Sequence, residues 1–294
     1  MWDNIAKQIS IATGRPFKLI KATHISGGCI NNAVALQGED LTFFVKLNGA
    51  NLIHMFEAEA KALIEITKTK SVLVPTPICH GVSEKQSYLV LEFLNMTNKK
   101  SEKCHATLGT QLAKLHRVTN DQFGWVIDNT IGETPQLNTA TKSWIEFYRN
   151  QRLAYQFQRT KETHHHSFKH QVKLLDNLEL FFKSYTPIPS LLHGDLWSGN
   201  YSCITGSNIP IIYDPATYYG DRETDIAFSE WFGGFSNTFY DTYNEAYPLD
   251  AGYKKRKNLY NLYHMLNHYN LFGGGYAQQA QDLIDSLISK IEMA

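Results

Sequence analysis

The densest chemistry in the chain lies in residues 191–200, Leu-Leu-His-Gly-Asp-Leu-Trp-Ser-Gly-Asn. An apolar pair leads into a His-x-Asp, and Asn200 follows Asp195 at a spacing of five. A short apolar run, residues 209–213, then delivers a second carboxylate, Asp214. Phosphoryl transfer needs such a layout: one carboxylate near the attacking hydroxyl, and an Asn with another carboxylate on magnesium. Asp195 is therefore expected to orient the acceptor hydroxyl and take its proton, with Asn200 and Asp214 as metal ligands. Alone, an Asp or Asn here would read as a helix cap or a turn. Together they point to an ATP-dependent small-molecule kinase.

Further residues fit that chemistry. Lys46 ends the apolar run Phe43-Phe44-Val45, where an ammonium can neutralise the phosphates of ATP if a carboxylate steadies its stem. Glu59 is the favoured partner and Glu57 its competitor, on a different helix face because neighbours are about 100° apart. Gly27 and Gly28, between two expected strands, let backbone N–H groups approach phosphate, though a plain turn has the same composition. Cys29 would then sit near nucleotide, open to oxidation or simply a small inert residue. Glu92, Phe93 and Leu94 mark the junction where adenine would meet main-chain groups. Asp225 is expected to brace the catalytic loop. Trp197, Trp231 and Phe235 are candidates for stacking on a sugar, against the alternative of core packing. His164-His165-His166 with His170 lack a supporting Cys or carboxylate set and read as a solvated helix-loop segment.

These residues need elements to hold them. The first 13 residues have helical spacing and stop at Gly14-Arg15-Pro16; residues 18–47 turn strand-like, with a hairpin at residues 37–40. Residues 55–66 form a helix that the prolines at 75 and 77 keep from continuing. Residues 88–94 read as a buried strand. Beyond the polar stretch 95–103 the period is helical: residues 108–116, 144–148, 171–182, 259–272 and 277–293. The order predicts an α+β, two-lobed protein kinase-like fold: a nucleotide-binding lobe over 1–94, a linker over 95–102, and a mostly helical lobe over 103–294.

Composition narrows the class further. With 43% hydrophobic and 19% charged residues, the chain has the make-up of an ordinary soluble globular protein. Its 28 basic residues cancel 28 acidic ones, so nothing favours nucleic acid as a partner. No apolar run reaches the roughly 20 residues that span a bilayer, and the N-terminus shows no leader pattern. The four cysteines are scattered without metal-like spacing and are expected as reduced thiols in a cytoplasmic protein.

The chain resembles the fructosamine kinase (ketosamine 3-kinase) family, relatives of aminoglycoside and choline kinases. The likeness runs over almost all of the sequence. It rests on residues 193–200, Gly27-Gly28-Cys29-Ile30, residues 55–59, Phe123-Gly124 leading to residues 132–136, residues 144–153, Tyr213-Asp214-Pro215-Ala216, residues 219–223, and Tyr260-Asn261-Leu262-Tyr263-His264. It implies ATP- and Mg2+-dependent phosphorylation of the third-carbon hydroxyl of a ketosamine, free or protein-bound, by a monomer or weak homodimer. The unstable product would free the amine, a deglycation or repair reaction, with ribulosamines or erythrulosamines preferred to fructosamine. Two departures from protein kinases stand out: Gly194 replaces the Arg that receives an activation-loop phosphate, and Pro215 fixes the backbone after the metal-binding Asp. A constitutively assembled site is expected. Another small acceptor alcohol, or a catalytically silent nucleotide-binding scaffold, are the competing readings.

Overall fold

The computed structural model describes residues 1–25, 32–97 and 99–293. Helix α1 (Trp2–Thr13) precedes five strands: β1 (Lys21–Ile25), β2 (Asn32–Gln37), β3 (Thr42–Gly49), β4 (Pro77–Ser83) and β5 (Gln86–Glu92), with α2 (Ile53–Thr69) between β3 and β4. The sheet order is β1-β2-β3-β5-β4, every neighbour antiparallel. Strand side chains alternate between faces, and here both faces are covered. Phe43, Val45 and Leu47 of β3 and Tyr88 and Val90 of β5 pack with Ile5 and Ile9 of α1. Leu89 and Leu91 turn to the other face and join Phe56, Leu63 and Ile66 of α2. The same alternation turns Lys46 toward α2.

The second part begins with β6 (Met96–Thr97) and α3 (Glu102–Leu115). A small hairpin of β7 (Asn129–Ile131) and β8 (Thr134–Gln136) follows, then α4 (Trp144–Tyr148), α5 (Tyr155–His164) and α6 (Gln171–Asp176). Four short strands, β9 (Ser190–Leu191), β10 (Tyr201–Ile204), β11 (Pro210–Ile212) and β12 (Tyr219–Gly220), frame the loop of residues 192–200 and the turn at Asp214. Helices α7 (Glu223–Ser229), α8 (Asn237–Ala246), α9 (Tyr253–Phe272) and α10 (Tyr276–Glu292) complete it. Helix α3 is capped by Ser101, whose hydroxyl accepts from the Cys104 N–H at 3.1 Å. The short β6 pairs with β10, adding a strand beside the loop of residues 192–200. No helix of the described residues is long and apolar enough to cross a membrane.

The structure departs from the sequence reading in four places. Residues 77–83, read only as a helix stop, form edge strand β4, where a leading proline costs no ladder bond. The helical run 171–182 breaks at Asn177, whose amide donates to the Lys173 carbonyl at 2.8 Å and competes with the helix. The histidine run is not simply solvated: His164 stacks on Tyr269 at 4.4 Å and His166 meets Phe168 edge-on at 4.7 Å. Cys104 and Cys203, expected as thiols, form a disulfide with Cα atoms 6.5 Å apart. Their sequence separation of 99 hid a pairing that exists only once α3 lies against β10. Cys79 is free.

Candidate active site

Three elements deliver the charged centre. Lys46 comes from β3, Glu59 from α2, and Asp214 from the turn after β11. The Lys46 ammonium donates to Glu59 Oε1 at 2.7 Å, to Glu59 Oε2 at 2.9 Å and to Asp214 Oδ1 at 2.6 Å. Glu57 is exposed and makes no such contact, which settles the choice between the two glutamates. Burial alone would discharge Lys46; the two carboxylates overcome that and raise its pKa above the ordinary value, so it stays an ammonium. Asp214 has φ +58°, the left-handed region that a non-glycine residue adopts at a cost of about 1–3 kcal/mol. That turn lifts its carboxylate out of the path of β11 toward Lys46.

The catalytic loop is held from beneath. Asp225, in the first turn of α7, accepts the backbone N–H of His193 at 2.7 Å and of Gly194 at 2.8 Å. His116, which caps the C-terminus of α3, approaches Asp225 through Nε2 at 3.1 Å and Tyr243 through Nδ1 at 2.8 Å, and Arg222 donates to the Tyr243 hydroxyl at 2.9 Å. One proton arrangement satisfies the whole relay: Arg222 to Tyr243, Tyr243 to His116 Nδ1, His116 Nε2–H to Asp225. Burial lowers the His116 pKa, in keeping with that neutral ring. His193 is likewise neutral and buried, with Nε2 3.0 Å from the Tyr213 carbonyl and Nδ1 receiving the Asp195 N–H at 3.3 Å. Gly194 sits at φ +85°, and a Cβ there would stand 2.0 Å from the Ala216 carbonyl oxygen. No side chain fits, so the position occupied by Arg in protein kinases is closed to it.

Asp195 and Asn200 close the loop on itself. The Asn200 amide nitrogen donates to the Asp195 carbonyl and to Asp195 Oδ2, both at 2.9 Å. Its own amide oxygen is not used in those bonds. Burial first, and then the negative charge of Asp214, push the Asp195 carboxyl well above the usual carboxylate range. Lys100 reaches in from the linker, donating to the Ser198 carbonyl at 2.6 Å and lying 3.9 Å over the Tyr201 ring. Among the described residues no group of three or more His, Cys, Asp or Glu could hold a metal by itself.

The aromatic candidates divide. Trp197 and Trp231 are half-buried and both meet the exposed Phe232 edge-on, at 6.1 and 6.4 Å, in an aromatic wall. The Trp197 ring lies on Gly199, where a Cβ would come within 2.3 Å of it. Phe235 belongs instead to the core, stacked between Tyr201 and Phe239 at 4.7 Å from each. At the lobe junction, the Glu92 N–H is committed to the Thr76 carbonyl and the Glu92 carboxylate to the Thr76 N–H, each at 2.9 Å. Phe93 and Leu94 lie beyond the last paired residue of β5. Gly27, Gly28 and Cys29 lie outside the described residues. Sequence reasoning missed the Arg222–Tyr243–His116 relay; the only signal was a polar His116 on the apolar face of α3. It also missed Arg152, fully buried yet 4.1 Å over the Tyr218 ring and bonded to the Leu137 carbonyl, with no sequence cue beyond its charge.

The comparisons with known proteins agree with this geometry. A model of the fructosamine kinase family matches residues 1–290. A probable ketoamine kinase of Synechocystis is 46% identical, covering 96% of this chain and 95% of that protein. The chloroplastic protein-ribulosamine 3-kinase of Arabidopsis thaliana is 40% identical over 99% of this chain and 90% of its own. A candidate fructosamine-3-kinase structure from Haemophilus somnus superposes with a TM-score of 0.90 at 33% identity, covering 98% of each chain. The antiparallel sheet, the helical second part and these matches establish a two-lobed protein kinase-like fold. The chain belongs to the fructosamine kinase family.

Proposed function

We propose that this protein transfers the γ-phosphoryl group of ATP to the third-carbon hydroxyl of a ketosamine. The observation that carries the reading is the Lys46 ammonium held between Glu59 at 2.7 Å and Asp214 at 2.6 Å, joining both lobes at one phosphate-binding point. Lys46 neutralises the phosphates, and Glu59 fixes its stem. Gly27 and Gly28 are assigned to covering the triphosphate, and Glu92, Phe93 and Leu94 to the adenine edge. With the Glu92 N–H taken by Thr76, the main-chain groups of Phe93 and Leu94 are those left to adenine. The donor set fits magnesium, which takes few protein oxygens and completes its shell with phosphates and water. Asn200 turns its nitrogen to Asp195 and keeps a neutral oxygen; Asp214 gives one oxygen to Lys46 and keeps a charged one. Magnesium held there would neutralise charge on the triphosphate.

The acceptor hydroxyl approaches Asp195. Its oxygen bonds to the γ-phosphorus as the bridging bond to ADP breaks, and its proton passes to the Asp195 carboxylate. The wall of Trp197, Trp231 and Phe232 supports the sugar face. The product carries a phosphate on the carbon beside the ketone. Enolisation of the ketosamine expels that phosphate and frees the amine after hydrolysis, which is deglycation.

Incubation with Mg-ATP and synthetic ribulosyl-lysine or fructosyl-lysine, followed by phosphorus NMR, tests this. A new phosphomonoester signal that decays to inorganic phosphate with stoichiometric lysine release is expected. Phosphorylation of an aminoglycoside or choline with neither ketosamine modified would replace the reading.

A further inference from the structure

We propose that a second site, for an organic cation the size of a lysine or arginine side chain, lies in a cleft between α2 and residues 119–126. The cleft holds about 330 Å³ and is lined by Glu65, Gln122, Phe123, Trp125, Val126 and Tyr219 among others. That volume falls in the roughly 300–1,000 Å³ range of small-ligand sites. None of these residues belongs to the phosphoryl-transfer centre.

The charge pattern selects the ligand. Glu65 Oε2 accepts from the Trp125 indole N–H at 2.7 Å and Oε1 from the Tyr219 hydroxyl at 2.8 Å. Both donors are neutral, and among the described residues no ion pair is made to Glu65. A carboxylate has about four acceptor positions. Two are filled, so each oxygen keeps one, aimed by a rigid aromatic donor. Burial and the hydrogen bond to Glu65 raise the Tyr219 pKa, so its proton stays on the hydroxyl. An isolated negative charge framed by Trp and Tyr suits a cation that also gains from aromatic faces. Phe123, Trp125 and Val126 suit an alkyl stem. A divalent metal is a poor match, because it needs several hard ligands and no such cluster exists among the described residues. The same head group occurs on a free amine and on a lysine or arginine at a protein surface.

The test uses the full chain without nucleotide, so its failure is separable from any failure of the kinase reading. The indole N–H resonance of Trp125, assigned with Trp125→Phe, is followed in wild type against n-butylammonium, the uncharged isostere n-butanol, and a capped Gly-Lys-Gly peptide at constant ionic strength. The expected result is a saturable shift with n-butylammonium at least about tenfold tighter than with n-butanol, a preference lost in Glu65→Gln. A peptide that saturates the same resonance assigns the site to a protein side chain; response to the free amine alone assigns it to small amines. Equal responses to amine and alcohol, or no saturable shift with either cation, would overturn the proposal. The wild-type comparison stands even if Glu65→Gln fails to fold.

Discussion

At the scale of single residues, the role proposed for Asp195 asks a carboxylate that is hard to ionise to receive a proton. Burial and Asp214 raise the pKa of Asp195, which makes its ionised form a stronger base. The ionised fraction is lost as pH falls through that raised value. The acid limb of kcat/KM should therefore lie above the ordinary aspartate value of about 3.9. Asp195→Asn keeps the hydrogen-bonding shape of the loop but cannot take the proton. We expect kcat to fall by about 10²–10⁴ while ATP affinity, measured by calorimetry, changes only a few-fold. Wild-type turnover in that variant would remove Asp195 from its role. Gly194 gives a second residue-scale expectation, because its φ of +85° and the Ala216 oxygen 2.0 Å from any Cβ leave no room. Gly194→Ala should lower stability by about 1–3 kcal/mol in urea titration and pull Asp195 out of line. An unchanged unfolding midpoint would mean the loop has a slack the structure does not show.

At the scale of elements, the packing of α7 against α9 carries a pH dependence. His264 of α9 stacks on Phe228 of α7 with centroids 3.6 Å apart, and burial lowers its pKa from 6.5 to about 3. The folded state binds a proton less readily than the unfolded chain. The stability this gives is whole above pH 6.5 and drains away as pH falls from there toward 3. Between pH 7 and 5 the loss is about 2 kcal/mol, from 1.4 kcal/mol per unit of pKa shift. Other buried groups titrate as well, so the informative quantity is the difference from His264→Phe, which keeps the stack and cannot titrate. The stability of wild type relative to this variant should drop by that amount between pH 7 and 5; parallel curves would mean His264 takes up its proton as readily in the fold as in the unfolded chain. This stack also shows where sequence reading stops. The period of α9 was legible, and so was the β2–β3 hairpin from its apolar runs and turn residues. Which face of α9 meets α7, and that His264 is the buried contact, depends on packing that no period encodes.

At the scale of the whole molecule, the site exists only because distant elements meet, and the sequence disclosed that meeting unevenly. Residues 193–200 and Asp214 were legible as one group because short spacings bring them together. Lys46 and Glu59 were legible because strand alternation and helix period turn both inward, where they bond at 2.7 Å. The relay behind Asp225 and the Cys104–Cys203 bridge were not, since their members are paired only by the tertiary fold. That bridge yields the last expectation. Both cysteines are almost wholly buried, so exchange with a reducing thiol requires prior opening of the structure. The bridge also ties the start of α3 to the strand that follows Asn200, closing a loop of 99 residues. A loop of about 100 residues gives up to about 4.7 kcal/mol by chain entropy, with about 2–4 kcal/mol typical of measured bridges. Cys104→Ala/Cys203→Ala should therefore lower the urea midpoint by an amount worth about 2–4 kcal/mol, and dithiothreitol should bring wild type down to the same value. Alkylation of the unreduced, denatured protein should label Cys79 and leave Cys104 and Cys203 unlabelled. Labelling of both Cys104 and Cys203, with a midpoint indifferent to dithiothreitol, would show that two neighbouring thiols suffice to join α3 to β10.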